Sequence, residues 1–452
     1  MRVHLSEKQV TAFFVALLLL VVSACSLAPD SSADPTQKPL PTTPVATPLG
    51  VSVPVCRMAA CTNLNPVPGI RPFIDTWENI HLFQTFDFNV TYPAATAKNL
   101  DFVWGADPTH VWSYRASNPN LLLSYYITLH RDNGTFTNTD ISRQRGESFW
   151  KQIHPSWILY KCDRTTPAIE YGSPSIAFAL NNPEVFNWQL TTYVNVAQQW
   201  GYDAIAVDNV NMENMFGGCG YYDKNGQWVQ RYTGQMNDPA WQADVLSWAT
   251  QMQATLHALP RPMLLMANFS YGSIPLKSDA TQKVLQHLDG VLDESSFTQY
   301  GETHIAADAW VQMVKYVSTM QRQNKPFLLV NEFKADQTIS HDDMQWVIGS
   351  YLMCKQRLAM LYIAYIQSYG TDKYLTLPEY ALQIGSPRGE MYEDQGVYWR
   401  DYTGGQVVVN PFNVDITVTL SPGASYVDPY GAHIDQTLRL PALSAKIMLN
   451  AH

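Results

Sequence analysis

The chain has 452 residues, of which 46% are hydrophobic, and a formal net charge of -10. A chain of this size can bury one large core and a small second domain. The negative charge and the absence of any cluster of Lys and Arg argue against a nucleic-acid-binding protein. The sequence contains no CxxC pair and no HExxH motif, so it predicts no dedicated metal site and no cofactor.

The N-terminus predicts an exported, anchored protein. Two basic residues precede an uncharged apolar run over residues 11–22, which is too short to span a bilayer and is typical of a signal peptide. The following V-S-A-C at residues 22–25 resembles a bacterial lipobox, in which cleavage precedes a lipidated cysteine; an ordinary signal peptide with an incidental cysteine is the alternative. The resemblance implies removal of residues 1–24 and a lipid on Cys25 that holds the protein on an outer membrane face.

The next segment is rich in Pro, Ser, Thr and Ala up to about residue 50, and such a composition indicates a flexible tether. We place the tether and the entry to the folded part at residues 25–66. The pattern of apolar and polar residues after this segment predicts a large α/β domain at residues 67–385 and a small β-domain at residues 386–452.

The cysteines after Cys25 fall into three groups. Cys56 and Cys61 are close enough to form a local disulfide, and Cys162 and Cys219 lie in loop-like segments and can pair. Cys354 lies within an apolar helical pattern and is predicted to be a buried free thiol.

Short apolar runs alternate with helical patterns along the large domain, and eight such runs predict a parallel (β/α)8 TIM barrel. The predicted strands lie near Phe73–Ile74, Phe102–Val103, Leu121–Ile127, Ala204–Val207, Met263–Ala267, Gly290–Leu292, Phe327–Val330 and Met360–Ala364. The connection at residues 130–181 is too long for a plain barrel loop, and we interpret it as an elaborated loop over the active face.

Helix boundaries are clearest before the fourth strand. Asn182 and Pro183 predict a capped helix start, and Gly201 predicts its end. Asp238-Pro239 predicts a second start of this kind, and Ser340 with Asp343 resembles a capping box.

After about residue 385 the sequence changes to short strand patterns separated by Gly, Pro and Asn. This pattern predicts a small C-terminal antiparallel β-sandwich. The predicted strands lie at Gly396–Arg400, Gln406–Asn410, Ile416–Leu420 and Ala445–Leu449.

Asp208 is the first candidate for chemistry, because functional groups of a barrel stand at the C-terminal ends of its strands. Strand alternation places Asp208 on the same face as Ala204 and Ala206, with Ile205 and Val207 opposite. We expect the small residues to face the barrel axis. The alternative is an Asp that caps the following turn.

The segment Gly201–Val210 resembles the Gly-aromatic-Asp-Gly-aliphatic-x-x-Asp-Asn-Val signature of barrel glycosidases, with Ala204 in place of the usual Gly. It is most similar to the hypothetical glycosyl hydrolase-like families, and more distantly to endo-polygalactosaminidases and clan D retaining α-glycosidases. Four further segments match in order: Asn181–Val185, Met266–Asn268, Leu288–Glu294 and Gln406–Pro411. The resemblance covers the chain from about residue 71 to its end.

This resemblance implies a two-carboxylate mechanism. By similarity to clan D, Asp208 is the nucleophile, and the carboxylate that ends the sixth strand is the acid and base. The alternation of side chains along the strand leaves open whether Glu294 or Asp293 points into the barrel. The motif favours Glu294, and Asp293 is then a structural cap.

Other polar and aromatic side chains near the predicted strand ends are candidates for binding sugar hydroxyls and rings, although each is equally explained as a cap or a satisfied loop residue. They are Asp75, Trp77, Trp104, Asp107, His130, Asn209, Asn268 and Glu332. Gln367 and Tyr369 are weaker candidates.

Together these observations predict a monomeric, membrane-anchored glycoside hydrolase that acts on an extracellular carbohydrate by a retaining mechanism. An inverting enzyme that uses the same residues is one alternative. A surface carbohydrate-binding lipoprotein with an inactive barrel is another.

Overall fold

The computed structural model describes residues 80–132, 145–170, 175–269, 278–334, 339–365, 370–371 and 377–451. Among these residues no helix is long and apolar enough to cross a membrane. The predicted signal peptide, the lipidation site Cys25 and the pair Cys56 and Cys61 lie outside them.

The strands, numbered in chain order, are β1 (Phe83–Thr85), β2 (Phe102–Trp104), β3 (Leu122–Thr128), β4 (Tyr160–Lys161), β5 (Ala204–Asp208), β6 (Gly218–Tyr222), β7 (Trp228–Gln230), β8 (Leu264–Asn268), β9 (Gly290–Asp293), β10 (Phe327–Phe333), β11 (Ala359–Tyr365), β12 (Tyr392–Asp394), β13 (Val397–Tyr402), β14 (Gly405–Asn410), β15 (Ile416–Thr419), β16 (Tyr426–Val427), β17 (His433–Ile434), β18 (Thr437–Leu440) and β19 (Ser444–Asn450). The helices are α1 (Pro93–Thr96), α2 (Val111–Ser117), α3 (Glu147–Ile153), α4 (Pro183–Gln189), α5 (Asn195–Trp200), α6 (Pro239–His257), α7 (Asp279–Gln286), α8 (Ala307–Arg322) and α9 (His341–Cys354).

Eight parallel strands form the barrel in the order β1-β2-β3-β5-β8-β9-β10-β11. A parallel bridge between Leu82 and Leu361, next to a hydrogen bond from the Leu361 amide to the His81 carbonyl, joins the last strand to the first. The predicted TIM barrel is therefore confirmed. The predicted position of its first strand is wrong: the barrel takes this strand from β1, and Phe73–Ile74 lie outside the described residues.

Strand alternation divides the barrel residues into two cores. Ala204 and Ala206 belong to the core inside the barrel, whereas Ile205 and Val207 belong to the core between the strands and the helices. The predicted orientation of β5 is confirmed, and it directs Asp208 towards the barrel axis.

The predicted helix boundaries are also confirmed. The Asn182 side chain accepts a hydrogen bond from the Glu184 amide, and Gly201 ends the helix in the left-handed conformation. A π-helical turn at Leu190–Val194 joins α4 to α5. Asp238 caps α6, and Ser340 with Asp343 forms the capping box of α9.

The long connection after β3 carries a small core of its own, and its strand β4 forms an antiparallel sheet with β6 and β7, which follow β5. Trp150 and Trp157 are buried in this core, so they are packing residues. A disulfide joins Cys162 to Cys219, and Cys354 is a buried free thiol, as predicted. The disulfide therefore links segments that follow two different barrel strands, β3 and β5.

The C-terminal region forms two antiparallel sheets, one of six strands from β12 to β19 and one of β15 and β18, which enclose an apolar core. The predicted β-sandwich is confirmed. Val407, Val409, Ala445 and Ile447 on its other face belong to the core of the barrel helices.

Candidate active site

Asp208 is the last residue of β5 and is half-buried at the C-terminal end of the barrel. Its carboxylate accepts hydrogen bonds from four donors. The Tyr126 hydroxyl (2.6 Å) and Asn209 Nδ2 (3.3 Å) bond to Oδ2, while Asn268 Nδ2 (2.8 Å) and the Asn209 amide (2.9 Å) bond to Oδ1. An ionised carboxylate only accepts hydrogen bonds, so this set of donors suits a charged Asp208 held in one orientation.

Glu294 directly follows β9, on the same side of the chain as Leu292, which belongs to the core inside the barrel. Asp293 lies on the opposite face: it accepts a hydrogen bond from the Ser295 amide (3.1 Å) and raises the pKa of Tyr316 on α8, which burial raises most. The structure thus decides which of the two carboxylates points inward, a question that the sequence leaves open. Glu294 faces the barrel axis and Asp293 faces the helices.

The pKa of Glu294 is raised well above its usual value. Burial is the largest cause, followed by the negative charges of Asp208 and Glu332. The neutral form of a carboxyl group is favoured where burial and like charges oppose ionisation. Glu294 is therefore suited to hold a proton beside a carboxylate.

Asn268 connects the two groups. It ends β8, the strand between β5 and β9, so its side chain lies between the two carboxyl groups. Its amide donates to Asp208 and also hydrogen bonds with Glu294, which lowers the pKa of Glu294 against the causes that raise it. The structure therefore brings together three of the predicted residues, Asp208, Asn268 and Glu294.

Glu332, Asn209 and Asp107 have distinct positions. Glu332 lies on β10 and is buried with its charge acting on Glu294. Asn209 bonds twice to Asp208, from a left-handed backbone with a φ of 58°. Asp107 accepts hydrogen bonds from the amide and hydroxyl of Thr109, so its contacts are those of a satisfied loop residue, which the sequence analysis gave as an alternative.

Two other predicted binding residues present almost no surface to solvent. Trp104 is 2% exposed within the core inside the barrel, and His130 is 0% exposed with its ring against Trp241 and Phe216. Burial lowers the pKa of His130 to about 3, so its ring is neutral. We leave both residues out of the proposed site.

Asp75 and Trp77 lie outside the described residues, and so do Gln367 and Tyr369. The carboxylate that follows the first barrel strand is Asp87, which the sequence analysis missed. Asp87 is buried and accepts hydrogen bonds from His110 Nδ1 (3.0 Å) and the Asp107 amide (2.7 Å). Its contacts tie the loop after β1 to the loop after β2.

Two further polar residues near Asp208 carried no sequence signal. Tyr126 lies in a strand whose residues are all buried, so nothing in the sequence marked its hydroxyl. Glu170 lies in the long connection after β3, where no periodicity distinguishes one acidic residue from another. Among the described residues, no group of three or more His, Cys, Asp or Glu side chains is arranged to hold a metal ion.

Several solved structures are similar to this chain. An alpha-glucosyl transfer enzyme, XgtA, is 11% identical over 83% of this chain and 100% of its own, with a TM-score of 0.48. A maltogenic alpha-amylase from Thermotoga neapolitana is 12% identical over 83% and 99%, with a TM-score of 0.44. An alpha-amylase from Malbranchea cinnamomea is 11% identical over 83% and 97%, with a TM-score of 0.42. No curated protein matches the sequence.

A protein-family model matches residues 115–406, which include Asp208, Asn268, Glu294 and Glu332. The match covers more than half of the chain and runs from the second barrel helix into the β-sandwich. The chain therefore belongs to the hypothetical glycosyl hydrolase family 15, and it is a glycoside hydrolase.

Proposed function

We propose that the protein is a retaining glycosidase that cleaves O-glycosidic bonds of an extracellular oligo- or polysaccharide, with Asp208 as the nucleophile and Glu294 as the general acid and base. The observation that carries this proposal is the Asn268 amide, which contacts both carboxyl groups, together with the strongly raised pKa of Glu294. One ionised and one protonated carboxyl group are what glycoside hydrolysis requires.

The chemistry follows in two steps. An oxygen of Asp208 attacks the anomeric carbon while the bond to the leaving oxygen breaks, and Glu294 gives its proton to that oxygen. In the second step the Glu294 carboxylate takes a proton from water, whose oxygen attacks the same carbon and releases Asp208. Glu294 then holds the proton again, and no other reactant is needed.

The position of Asn268 supports retention over inversion. Asn268 donates from Nδ2 to Asp208 Oδ1 (2.8 Å) and its side chain also acts on Glu294, so a single side chain separates the two carboxyl groups. Retaining enzymes hold their two carboxyl groups about 5–5.5 Å apart, whereas inverting enzymes leave about 6.5–9.5 Å for a water molecule. We therefore expect the nearest carboxyl oxygens of Asp208 and Glu294 to lie in the shorter range.

The test begins with a panel of 2,4-dinitrophenyl and 4-nitrophenyl glycosides in both anomeric configurations, alongside natural glycans. Proton NMR of the first-formed sugar should show the anomer of the substrate. Formation of the opposite anomer would move the proposal to the inverting alternative. An absence of hydrolysis across the panel, combined with glycan binding, would favour the inactive carbohydrate-binding lipoprotein.

Variants assign the roles. Asp208→Asn should abolish turnover of every substrate, because it keeps the shape of the side chain and removes the attacking charge. Glu294→Gln should retain much more activity on dinitrophenyl glycosides than on natural linkages, since a good leaving group needs little protonation. Asp293→Asn is the matched control and should hydrolyse both kinds of substrate at the wild-type ratio. If Asp293→Asn shows the leaving-group dependence and Glu294→Gln does not, the assignment of the acid is wrong.

We also propose that Cys25 carries a lipid that anchors the enzyme to the outer face of the cell membrane. The lipobox-like residues 22–25 support this proposal. Mass spectrometry of the wild-type N-terminus should find a lipidated Cys25. Cys25→Ala should be secreted or should retain its signal segment. A wild-type protein that is cleaved elsewhere and carries no lipid would refute the anchor.

A further inference from the structure

The two oxygens of the Asp208 carboxylate have different sets of hydrogen-bond donors, and the difference indicates which oxygen attacks. Oδ1 accepts hydrogen bonds from Asn268 Nδ2 at 2.8 Å and from the Asn209 amide at 2.9 Å. Both distances are usual for an N–H donor, so both lone pairs of Oδ1 are occupied. This oxygen would have to give up a good hydrogen bond in order to attack a sugar carbon.

Oδ2 accepts one short and one long hydrogen bond. The Tyr126 hydroxyl lies 2.6 Å from it, a distance typical of a hydroxyl that donates to a charged oxygen. Asn209 Nδ2 lies at 3.3 Å, beyond the usual range for an N–H donor. One lone pair of Oδ2 is therefore firmly held and the other only weakly, and the weakly held pair is the one that can bond most readily to the anomeric carbon.

Tyr126 is held in place by the barrel. It lies on β3, which pairs with β5 so that Tyr126 is opposite Ala206 and Thr128 is opposite Asp208. Its side chain belongs to the core inside the barrel and is 1% exposed, and its ring lies edge-on to that of Phe86 with the centroids 5.0 Å apart. The hydroxyl therefore reaches Asp208 from a barrel strand, which fixes its position more tightly than a loop would.

The Tyr126 hydroxyl also keeps its proton. Burial, together with the negative charge of Asp208, raises the pKa of this hydroxyl well above the ordinary value for tyrosine. A hydrogen bond to a charged oxygen is about twice as strong as a bond to a neutral one. The contact is therefore stronger when Asp208 is a free carboxylate than when Oδ2 is part of an ester.

We propose that Oδ2 is the attacking atom of Asp208 and that Tyr126 is a catalytic residue of the second step, in which its hydroxyl stabilises the carboxylate that leaves the sugar. The inference rests on the proposed function, because it requires a covalent bond between Asp208 and the substrate. In the first step a lone pair of Oδ2 forms a bond to the anomeric carbon. The bond from that carbon to the leaving oxygen breaks, and the leaving oxygen takes the proton of Glu294. Tyr126 keeps its own proton, and its hydrogen bond to Oδ2 weakens.

The second step restores that hydrogen bond. The oxygen of a water molecule forms a bond to the anomeric carbon, and Glu294 takes a proton from the water. The bond between the anomeric carbon and Oδ2 breaks, and its electron pair returns to Oδ2, where the Tyr126 hydroxyl again meets a charged oxygen. An interaction speeds a step only if it is stronger in the transition state than in the state before it. The hydroxyl therefore speeds the hydrolysis of the intermediate and not its formation.

The test replaces Tyr126 by Phe, which removes the hydroxyl and keeps the ring that packs in the barrel. On a 2,4-dinitrophenyl glycoside the first step is fast, because the leaving group needs little protonation, so kcat reports the hydrolysis of the intermediate. Tyr126→Phe should lower kcat about tenfold, which corresponds to the difference between a hydrogen bond to a charged oxygen and one to a neutral oxygen. KM should fall by a similar factor because the intermediate accumulates, so kcat/KM should stay within about threefold of the wild-type value.

The accumulated intermediate gives two further signals. Rapid mixing of Tyr126→Phe with this substrate should release a burst of dinitrophenol equal to the enzyme concentration, followed by a steady rate about tenfold below that of the wild type. Mass spectrometry after an acid quench should find the sugar on a peptide that contains Asp208. Equal losses in kcat and kcat/KM, without a burst or a bound sugar, would overturn the proposal, since the hydroxyl would then act in the first step or in folding alone.

Tyr125→Phe is the matched control. Tyr125 precedes Tyr126 in β3 and is similarly buried, but it faces the helices, where its ring centroid lies 5.3 Å from that of Tyr202. Loss of this hydroxyl should leave kcat and KM at their wild-type values, and urea unfolding of both variants checks that each is folded. The same kinetic change in both variants would trace the effect to the strand and would overturn the proposal.

The outcomes also separate this inference from the proposed function. If the wild-type enzyme carries the sugar on Asp208 during turnover and Tyr126→Phe has wild-type kcat, the role of Tyr126 fails and the function stands. If no sugar becomes bound to Asp208 in either protein and the product has the opposite anomeric configuration, the proposed retaining function itself fails.

Discussion

Replacement of Arg400 by Met should destabilise the protein by about 3 kcal/mol. Arg400 is 1% exposed in β13, and its guanidinium lies at the C-terminal end of α9. Nη1 donates to the carbonyls of Leu352 (2.6 Å), Met353 (3.2 Å) and Lys355 (2.7 Å), and Nε donates to that of Gly389 (3.1 Å). A cation at this end of a helix also meets the negative end of its dipole.

The magnitude follows from the acceptors that the substitution leaves behind. The Leu352 carbonyl keeps a hydrogen bond from the Tyr402 hydroxyl (2.6 Å), so the Met353 and Lys355 carbonyls lose most. Each buried acceptor without a partner costs about 1–3 kcal/mol. The cost of burying the guanidinium is no longer incurred, which offsets part of the loss and leaves about 3 kcal/mol.

Urea unfolding followed by tryptophan fluorescence measures the effect on the purified protein. Arg439→Met is the matched control in the same sandwich, because Arg439 is 74% exposed beside Asp415 and a surface pair contributes about 0–1 kcal/mol. A loss below about 1 kcal/mol in Arg400→Met, or a loss equal to that of Arg439→Met, would refute this account of the contact.

Three further results are expected. Replacement of both Cys162 and Cys219 by Ser should lower the free energy of unfolding by about 4 kcal/mol, because the disulfide closes a loop of 57 residues and so removes entropy from the unfolded chain. An unchanged midpoint of urea unfolding would contradict this expectation. His130 has a pKa of about 3 in the folded protein against about 6.5 when unfolded, so its contribution to the free energy of unfolding is fully present above pH 6.5 and is lost as the pH falls. At pH 5 the free energy of unfolding should be lower by about 2 kcal/mol. This loss should be absent from His130→Phe in the same unfolding assay. Because the pKa of Glu294 is raised, kcat/KM for a natural linkage should stay high through the usual range of carboxyl titration and fall only at higher pH. If Glu294→Gln shows the same fall in kcat/KM at high pH, Glu294 is not the acid.

The sequence predicts part of this site well and part of it poorly, for physical reasons. Asp208 could be oriented because β5 has small residues on one face and bulky residues on the other. Glu294 and Asp293 could not be separated in this way, since β9 is only four residues long and its parity depends on the residue at which pairing begins. The pairing of β9 with β8 and β10 in the barrel determines which of the two carboxylates faces the barrel axis.

The first strand was misplaced because its own sequence is partly polar. Gln84 and Thr85 interrupt the apolar pattern in β1, while Phe73–Ile74 offers a shorter but purely apolar pair. Asp87 was missed as a consequence. Glu170 could not be predicted for another reason, because its ion pair with Arg131 joins the two ends of a long segment that only the folded chain brings together.

The contact between α9 and the β-sandwich has a consequence for how the protein can be divided and recombined. A β-carbon at Gly349 would lie 2.8 Å from that of Ala445, so helix and strand approach more closely than a larger residue would allow. Domains joined by flexible linkers and small polar interfaces can be exchanged between enzymes, whereas a large apolar interface makes two regions fold as one. The sandwich is therefore a poor candidate for transplantation as a separate module, and chimeras made by cutting near residue 385 should aggregate unless the new partner supplies an equivalent apolar face.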